Sequence, residues 1–331
     1  MKKEIQSKLE LFTENTQGIR KWFRLQDSSA KRLAAMIYAL SNKKIDCEAI
    51  EKSHLIIKDN TGIFSMFRGN MAMCIAAMMS LNNEREKLFN NTITVYEMMK
   101  ESKFRASDYL AVAAYEIASQ GEQDDYRQIV ARAREFYNGM KANNWFRVGE
   151  DDYIYSAMLG LTDIDVKTGA ERIEQVYQQI KKHFRSKNCV QALAQVLVLS
   201  GDCGMAAERV ITLKAALKER GIRLDRAFTL PSLGALALLP AEVDDIAREI
   251  DEAQAYLRAQ KGFGTWSVSK QELHLFAAAM VAAAYADDIK RGVIAASVAT
   301  SIASIIITQQ IVVLAAIMAS SVTVTAAASS R

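Results

Sequence analysis

Half of this 331-residue chain is hydrophobic and a quarter is charged, a globular balance that suits two ordinary domains or one elongated array of stacked units. Its 42 basic and 38 acidic residues leave a formal charge of +4 and interleave at helical spacing, which describes a solvated surface and excludes a nucleic-acid footprint. Only Pro231 and Pro240 interrupt the chain, so helices joined by short turns are expected.

The chain opens Met1-Lys2-Lys3-Glu4 with no apolar stretch behind the charges, so no secretory leader is expected. Beyond it an aromatic followed by arginine recurs: Phe23-Arg24, Phe67-Arg68, Phe104-Arg105, Phe146-Arg147 and Phe184-Arg185. Ile222-Arg223 keeps the arginine, and Phe263-Gly264 keeps the aromatic. The steps are 44, 37, 42, 38, 38 and 41 residues, a length suited to two helices and two turns. Ahead of the pair runs an amphipathic helix with a tyrosine and then a basic residue in its last turns, as in Tyr96 with Lys100, Tyr137 with Lys141 and Tyr177 with Lys181. A cation there complements the negative end of the helix dipole. Behind the pair come a polar cap and a small-residue-rich apolar helix, for example Ile75-Ala76-Ala77, Val112-Ala113-Ala114, Ala192-Leu193-Ala194 and Ala277-Ala278-Ala279. Alanine lets helices approach closely, so these should form an inner layer and the more polar helices an outer one.

The expected fold is all-α, about seven helical hairpins over residues 1–291 forming an open α-α superhelix, with a closed α/α toroid as the alternative. A separate segment, 292–331, carries no charge until Arg331 and reads as a long apolar C-terminal helix. It is long enough to span a bilayer, but Gln309 and Gln310 sit in its middle and serines and threonines dilute it. It therefore reads first as a buried or self-associating helix, with Ala296, Thr300 and Ser304 as a small-residue stripe. The alternative is a tail anchor, for which Lys290-Arg291 would hold the array on the cytoplasmic face.

Cys47, Cys74, Cys189 and Cys203 are far apart and read as reduced, mostly buried thiols of a cytoplasmic protein. His54, His183 and His274 are isolated, so neither a metal nor another cofactor is expected. The arginines Arg24, Arg68, Arg105, Arg147, Arg185 and Arg223 occupy equivalent turns. They would form a ladder on one rim able to hold carboxylates or a polyanion, or else fix each turn by stacking and pairing. Asp27, Asp108, Glu150, Asp151, Asp152 and Asp225 follow the same turns, where helix N-caps belong; Asn70 and Ser269 take that place elsewhere, and Ser269 with Glu272 spells a capping box. Glu150-Asp151-Asp152 has excess charge and is the first catalytic or cation-binding candidate. Gly262-Phe263-Gly264-Thr265-Trp266 is faintly like the glycine-aromatic turns of prenyltransferase and terpene-cyclase toroids, without their metal-binding aspartates. Phosphate-loop, dinucleotide, zinc-protease and serine-hydrolase motifs do not occur.

Lys103-Phe104-Arg105-Ala106-Ser107-Asp108-Tyr109-Leu110 followed by Ala113-Ala114, together with Ile302-Ala303-Ser304-Ile305-Ile306-Ile307-Thr308-Gln309-Gln310, resembles the uncharacterised bacterial proteins grouped as domain of unknown function 4003 (DUF4003). The resemblance covers nearly the whole chain and implies no activity, cofactor or catalytic residue. Function is therefore expected to be that of an interaction or scaffold module with a protein or peptide partner, or with itself through 292–330. The alternatives are an α/α-toroid enzyme acting on an isoprenoid or carbohydrate, and a membrane-tethered adaptor.

Overall fold

A computed structural model describes residues 1–23, 26–69, 71–144, 148–199, 203–226 and 229–291, and among them it is all-helical, with no strand. In chain order the helices are α1 (Lys3–Ile19), α2 (Ser28–Leu40), α3 (Cys47–Asp59), α4 (Ala72–Ser80), α5 (Arg85–Glu101), α6 (Asp108–Gln120) and α7 (Tyr126–Asn144). There follow α8 (Asp152–Gly160), α9 (Val166–Ile180), α10 (Lys187–Leu199), α11 (Cys203–Glu219), α12 (Leu230–Ala237), α13 (Val243–Ala259) and α14 (Lys270–Arg291). Each odd-numbered helix packs on the even-numbered helix that follows it, making seven pairs.

The even-numbered helices are the interior. Every residue of α4, α8 and α12 is buried, as expected of helices that are apolar on all sides. Close approach needs small residues: a Cβ on Gly160 would lie 2.8 Å from the carbonyl oxygen of Ile129 in α7. One on Gly234 of α12 would lie 2.8 Å from Leu193 in α10. The odd-numbered helices are amphipathic; in α9 only Gly169, Ala170, Ile173, Val176, Tyr177 and Ile180 are buried, one face at helical spacing. Helix starts are set by short side chains: Asp27 accepts from the N–H of Ser29, Asp46 from that of Ala49, Ser107 from that of Leu110 and Asp165 from that of Thr168.

Inner-helix C-termini leave carbonyls without an intrahelical N–H, and cations of the outer helices bond several carbonyls at and just beyond them. Arg132 of α7 donates to Gly160, Thr162 and Ile164 at 3.2, 2.6 and 2.7 Å. Arg209 of α11 does the same at Ala237, Leu239 and Ala241. Lys8 of α1 reaches the carbonyl of Leu40 and Asn42 Oδ1 at 3.1 and 2.9 Å.

The recurring aromatics join one pair to the next. Phe67 packs on Tyr96 of α5 at 5.1 Å between centroids, and Phe104 on Tyr137 of α7 at 5.7 Å. The α13–α14 connection repeats this between the first and last described pairs: Phe263 lies 5.3 Å from Phe12 of α1, and Phe12 lies 5.2 Å from Phe276 of α14. Around them α1 packs on α13 and α14, α2 touches α14, Arg32 faces Glu272 at 3.6 Å, and Lys2 sits 3.7 Å over the Tyr285 ring. First and last pairs thus meet, the contact that the closed alternative requires and the open arrangement does not. Among the described residues no helix is long and apolar enough to cross a membrane. The long apolar helix expected over 292–330 lies outside the described residues.

Candidate functional site

Among the described residues, Phe23, Phe67-Arg68, Phe104-Arg105, Phe184-Arg185, Ile222-Arg223 and Phe263 lie in the connections from an odd-numbered helix to the next even-numbered one, so they mark one rim. Arg24 and Arg147 lie outside the described residues. Arg68 turns back on its own loop, donating to Thr61 Oγ1 at 3.1 Å and to the carbonyls of Lys58 and Thr61. Arg223 lies 3.4 Å from Asp225, while Arg105 and Arg185 are exposed. The cation stacked on a turn aromatic comes instead from the next outer helix. Arg134 lies 5.1 Å over Phe104 and donates to the Lys103 carbonyl, and Lys214 lies 4.8 Å over Phe184 and donates to that of His183.

The acidic residues of the rim divide by environment. Asp27 is exposed and caps α2, and Ser269 and Glu272 exchange hydrogen bonds of 3.0 and 3.2 Å as a capping box. Asp108 and Asp225 depart from the expected capping role: Ser107 caps α6, with Asp108 one residue inside the helix, and Asp225 pairs with Arg223. Glu150 and Asp151 are partly exposed, whereas Asp152 is only 2 % exposed. Its Oδ2 accepts from the Gly149 N–H at 2.8 Å and its Oδ1 from Gln195 Nε2 of α10 at 2.7 Å.

Burial, then the neighbouring Asp151 charge, pushes the Asp152 carboxyl up to about 8, so it keeps its proton at neutral pH. Burial also raises Asp151, and the two aspartates titrate as a pair. The same charges act on their surroundings: burial and then Asp151 raise Tyr109 to about 12, and both aspartates add to the upward shifts of Tyr155 and Cys189. The Tyr155 hydroxyl, Gln195 Oε1 and Gln191 Oε1 are buried with no hydrogen-bond partner among the described residues. The junction of α6, α8 and α10 therefore holds a protonated carboxylic acid, a partly open carboxylate and unsatisfied polar atoms, a set able to give or store a proton. Sequence reading picked out Glu150-Asp151-Asp152 but missed Gln195, Gln191 and Tyr155; two glutamines inside an otherwise apolar helix were the available signal.

The remaining titratable groups are dispersed. Burial raises the thiols of Cys47 to about 11 and Cys74 to about 12, which keeps both unreactive. His274 Nδ1 accepts from the Arg223 N–H at 3.1 Å, and burial lowers its pKa. No group of three or more His, Cys, Asp or Glu placed to hold a metal occurs among the described residues.

Large exposed apolar side chains share the rim. Trp266 is 101 % exposed, Phe64 88 %, Ile63 74 % and Trp22 41 %. They fall on the corresponding connections of the last, first and second helix pairs, which are neighbours in the fold.

Fold and site together define an all-α protein whose described residues form seven helix pairs, with a buried acid in the inner layer and an apolar rim. The chain belongs to the family described as protein of unknown function DUF4003, whose family model matches residues 15–311. No curated protein and no solved structure matches it.

Proposed function

We propose that this chain is a closed α/α toroid that acts in the cytoplasm as an interaction module, and that its contact surface is the rim formed by the α13–α14, α1–α2 and α3–α4 connections. The observation that carries the reading is the exposure of Trp266, Trp22, Ile63 and Phe64 on neighbouring connections, while the inner helices, the surface an open array would offer a partner, are buried against one another. Grouped exposed aromatics are a feature of protein-contact surfaces. A photo-crosslinking residue placed at Phe64 or at Trp266 in the native host should capture one and the same protein. The exposed outer-helix position Glu97 serves as control. Adducts at the rim no different from those at Glu97 would remove the reading.

A second reading rests on Asp152. A carboxylic acid protonated at neutral pH beside a partly open carboxylate has the makings of an acid–base pair, and an α/α toroid acting on a carbohydrate or isoprenoid would use it as proton donor. The purified chain would be assayed from pH 5 to 9 against glycosides and prenyl diphosphates. Turnover lost in Asp152→Asn, with the fold intact, would support this reading; turnover unaffected by that change, or none with either class, would sink it.

A further inference from the structure

Between the first and last of the described helix pairs there is a cavity of about 440 Å³, within the range of small-molecule sites. Arg20 at the end of α1, Ser28, Lys31 and Arg32 of α2, and Trp266 and Ser267 of the α13–α14 connection line it. Three cations and no carboxylate are among its lining residues. The acids nearby are otherwise engaged: Asp27 accepts from the N–H groups of Ser29 and Ala30, and Glu272 from the Ser269 N–H and Ser29 Oγ.

Arg32 is the informative member. It is 8 % exposed, its Nη2 donates to Ser29 Oγ at 3.2 Å and pairs with Glu272 at 3.6 Å, and its buried Nε–H has no acceptor among the described residues. A buried guanidinium with an idle donor is costly unless an acceptor arrives. Beside it Gly262, at φ 95°, has open space where a side chain would project, and the Trp266 indole is fully exposed. Nothing in the fold uses that indole face.

We propose that this cavity binds a phosphate-bearing small molecule, its phosphate held by Arg20, Lys31 and Arg32 and its planar organic part laid on the Trp266 indole. A dianion matches three converging cations better than a single carboxylate does. Guanidinium groups bind phosphate through paired hydrogen bonds, with lysine as a point charge. The Ser28 and Ser267 hydroxyls supply further donors. Because α1, α2 and the α13–α14 connection all contribute, the ligand bridges the first and last helix pairs. Binding therefore stabilises the folded state by mass action.

The test is thermal unfolding and calorimetry of the full chain with inorganic phosphate and with adenosine monophosphate, at constant ionic strength made up with chloride. The melting temperature should rise with either ligand and not with chloride, and the nucleotide should bind more tightly than phosphate. Arg20→Gln/Lys31→Gln alters an exposed and a half-buried side chain, so the fold survives and affinity for both ligands should fall about tenfold or more. Trp266→Leu should weaken the nucleotide and leave phosphate unchanged. A rise equalled by chloride, or a double variant that binds as tightly as the parent, overturns the site. Nucleotide no tighter than phosphate overturns the stacking. The double variant keeps Trp22, Ile63, Phe64 and Trp266, so its loss of ligand is separable from any loss of the rim's protein partner.

Discussion

At the scale of single residues, two buried groups set opposite pH dependences. The Asp152 carboxyl is raised from an ordinary carboxylate value to about 8, so the folded state holds a proton that the unfolded chain releases. Its contribution to stability is complete below about pH 4 and is lost as pH rises through about 8. Asparagine mimics the protonated acid. Asp152→Asn should therefore flatten the fall in urea-unfolding free energy between about pH 4 and 8, and an unchanged slope would mean that Asp152 is ionised in the fold. Asp152→Ala removes the acceptor of the Gly149 N–H and leaves Gln195 Nε2 only the Met140 sulfur, and should cost about 2–3 kcal/mol at neutral pH. His274 acts from the acid side. Burial lowers its pKa, so the unfolded chain takes up the proton first, and stability is lost as pH falls below about 6.5. His274→Gln should remove that part of the acid sensitivity, read from the same titration.

At the scale of elements, the ends of the inner helices are held by side chains of the outer ones. Arg132 and Arg209 each bond three carbonyls at the end of their partner helix, 28 to 32 residues ahead. Methionine keeps the apolar stem and removes the donors. Arg132→Met or Arg209→Met should each cost about 2–3 kcal/mol in chemical unfolding. Arg105→Met, at an exposed turn arginine, should change stability by less than about 0.5 kcal/mol. Equal losses at all three would mean that the turn arginines carry structural weight in contacts beyond those described. These outer-helix arginines escape a reading by local spacing, since their partners lie a whole hairpin away; the turn arginines attract notice because an aromatic stands next to each.

At the scale of the molecule, the contact that repeats along the chain also joins the first and last of the described helix pairs. Phe12 takes against Phe263 the place that Tyr96 takes against Phe67 and Tyr137 against Phe104. Phe12→Ala opens a cavity beside the Phe263 and Phe276 rings and should cost about 3–5 kcal/mol. If the ends act as one interface, Phe12→Ala and Phe276→Ala should be non-additive in a double-mutant cycle by about 0.5 kcal/mol or more. Strict additivity would show that first and last pairs unfold independently.

The helical class was readable from periodicity and from the near absence of proline, because a helix depends on residues within one or two turns of one another. So was the capping by Asp27 and by Ser269 with Glu272, and so was membership in the family. Only the tertiary structure decided which of several similar turn aspartates is buried. Asp27 stands just before α2 and Asp152 one residue inside α8, and the Asp152 carboxyl is met by Gln195, reached from another helix pair. It alone brought Phe12 to Phe263 and set Arg20, Lys31 and Arg32 around one cavity. The sum of small rotations from one helix pair to the next determines whether the two ends touch, and no local pattern encodes that sum.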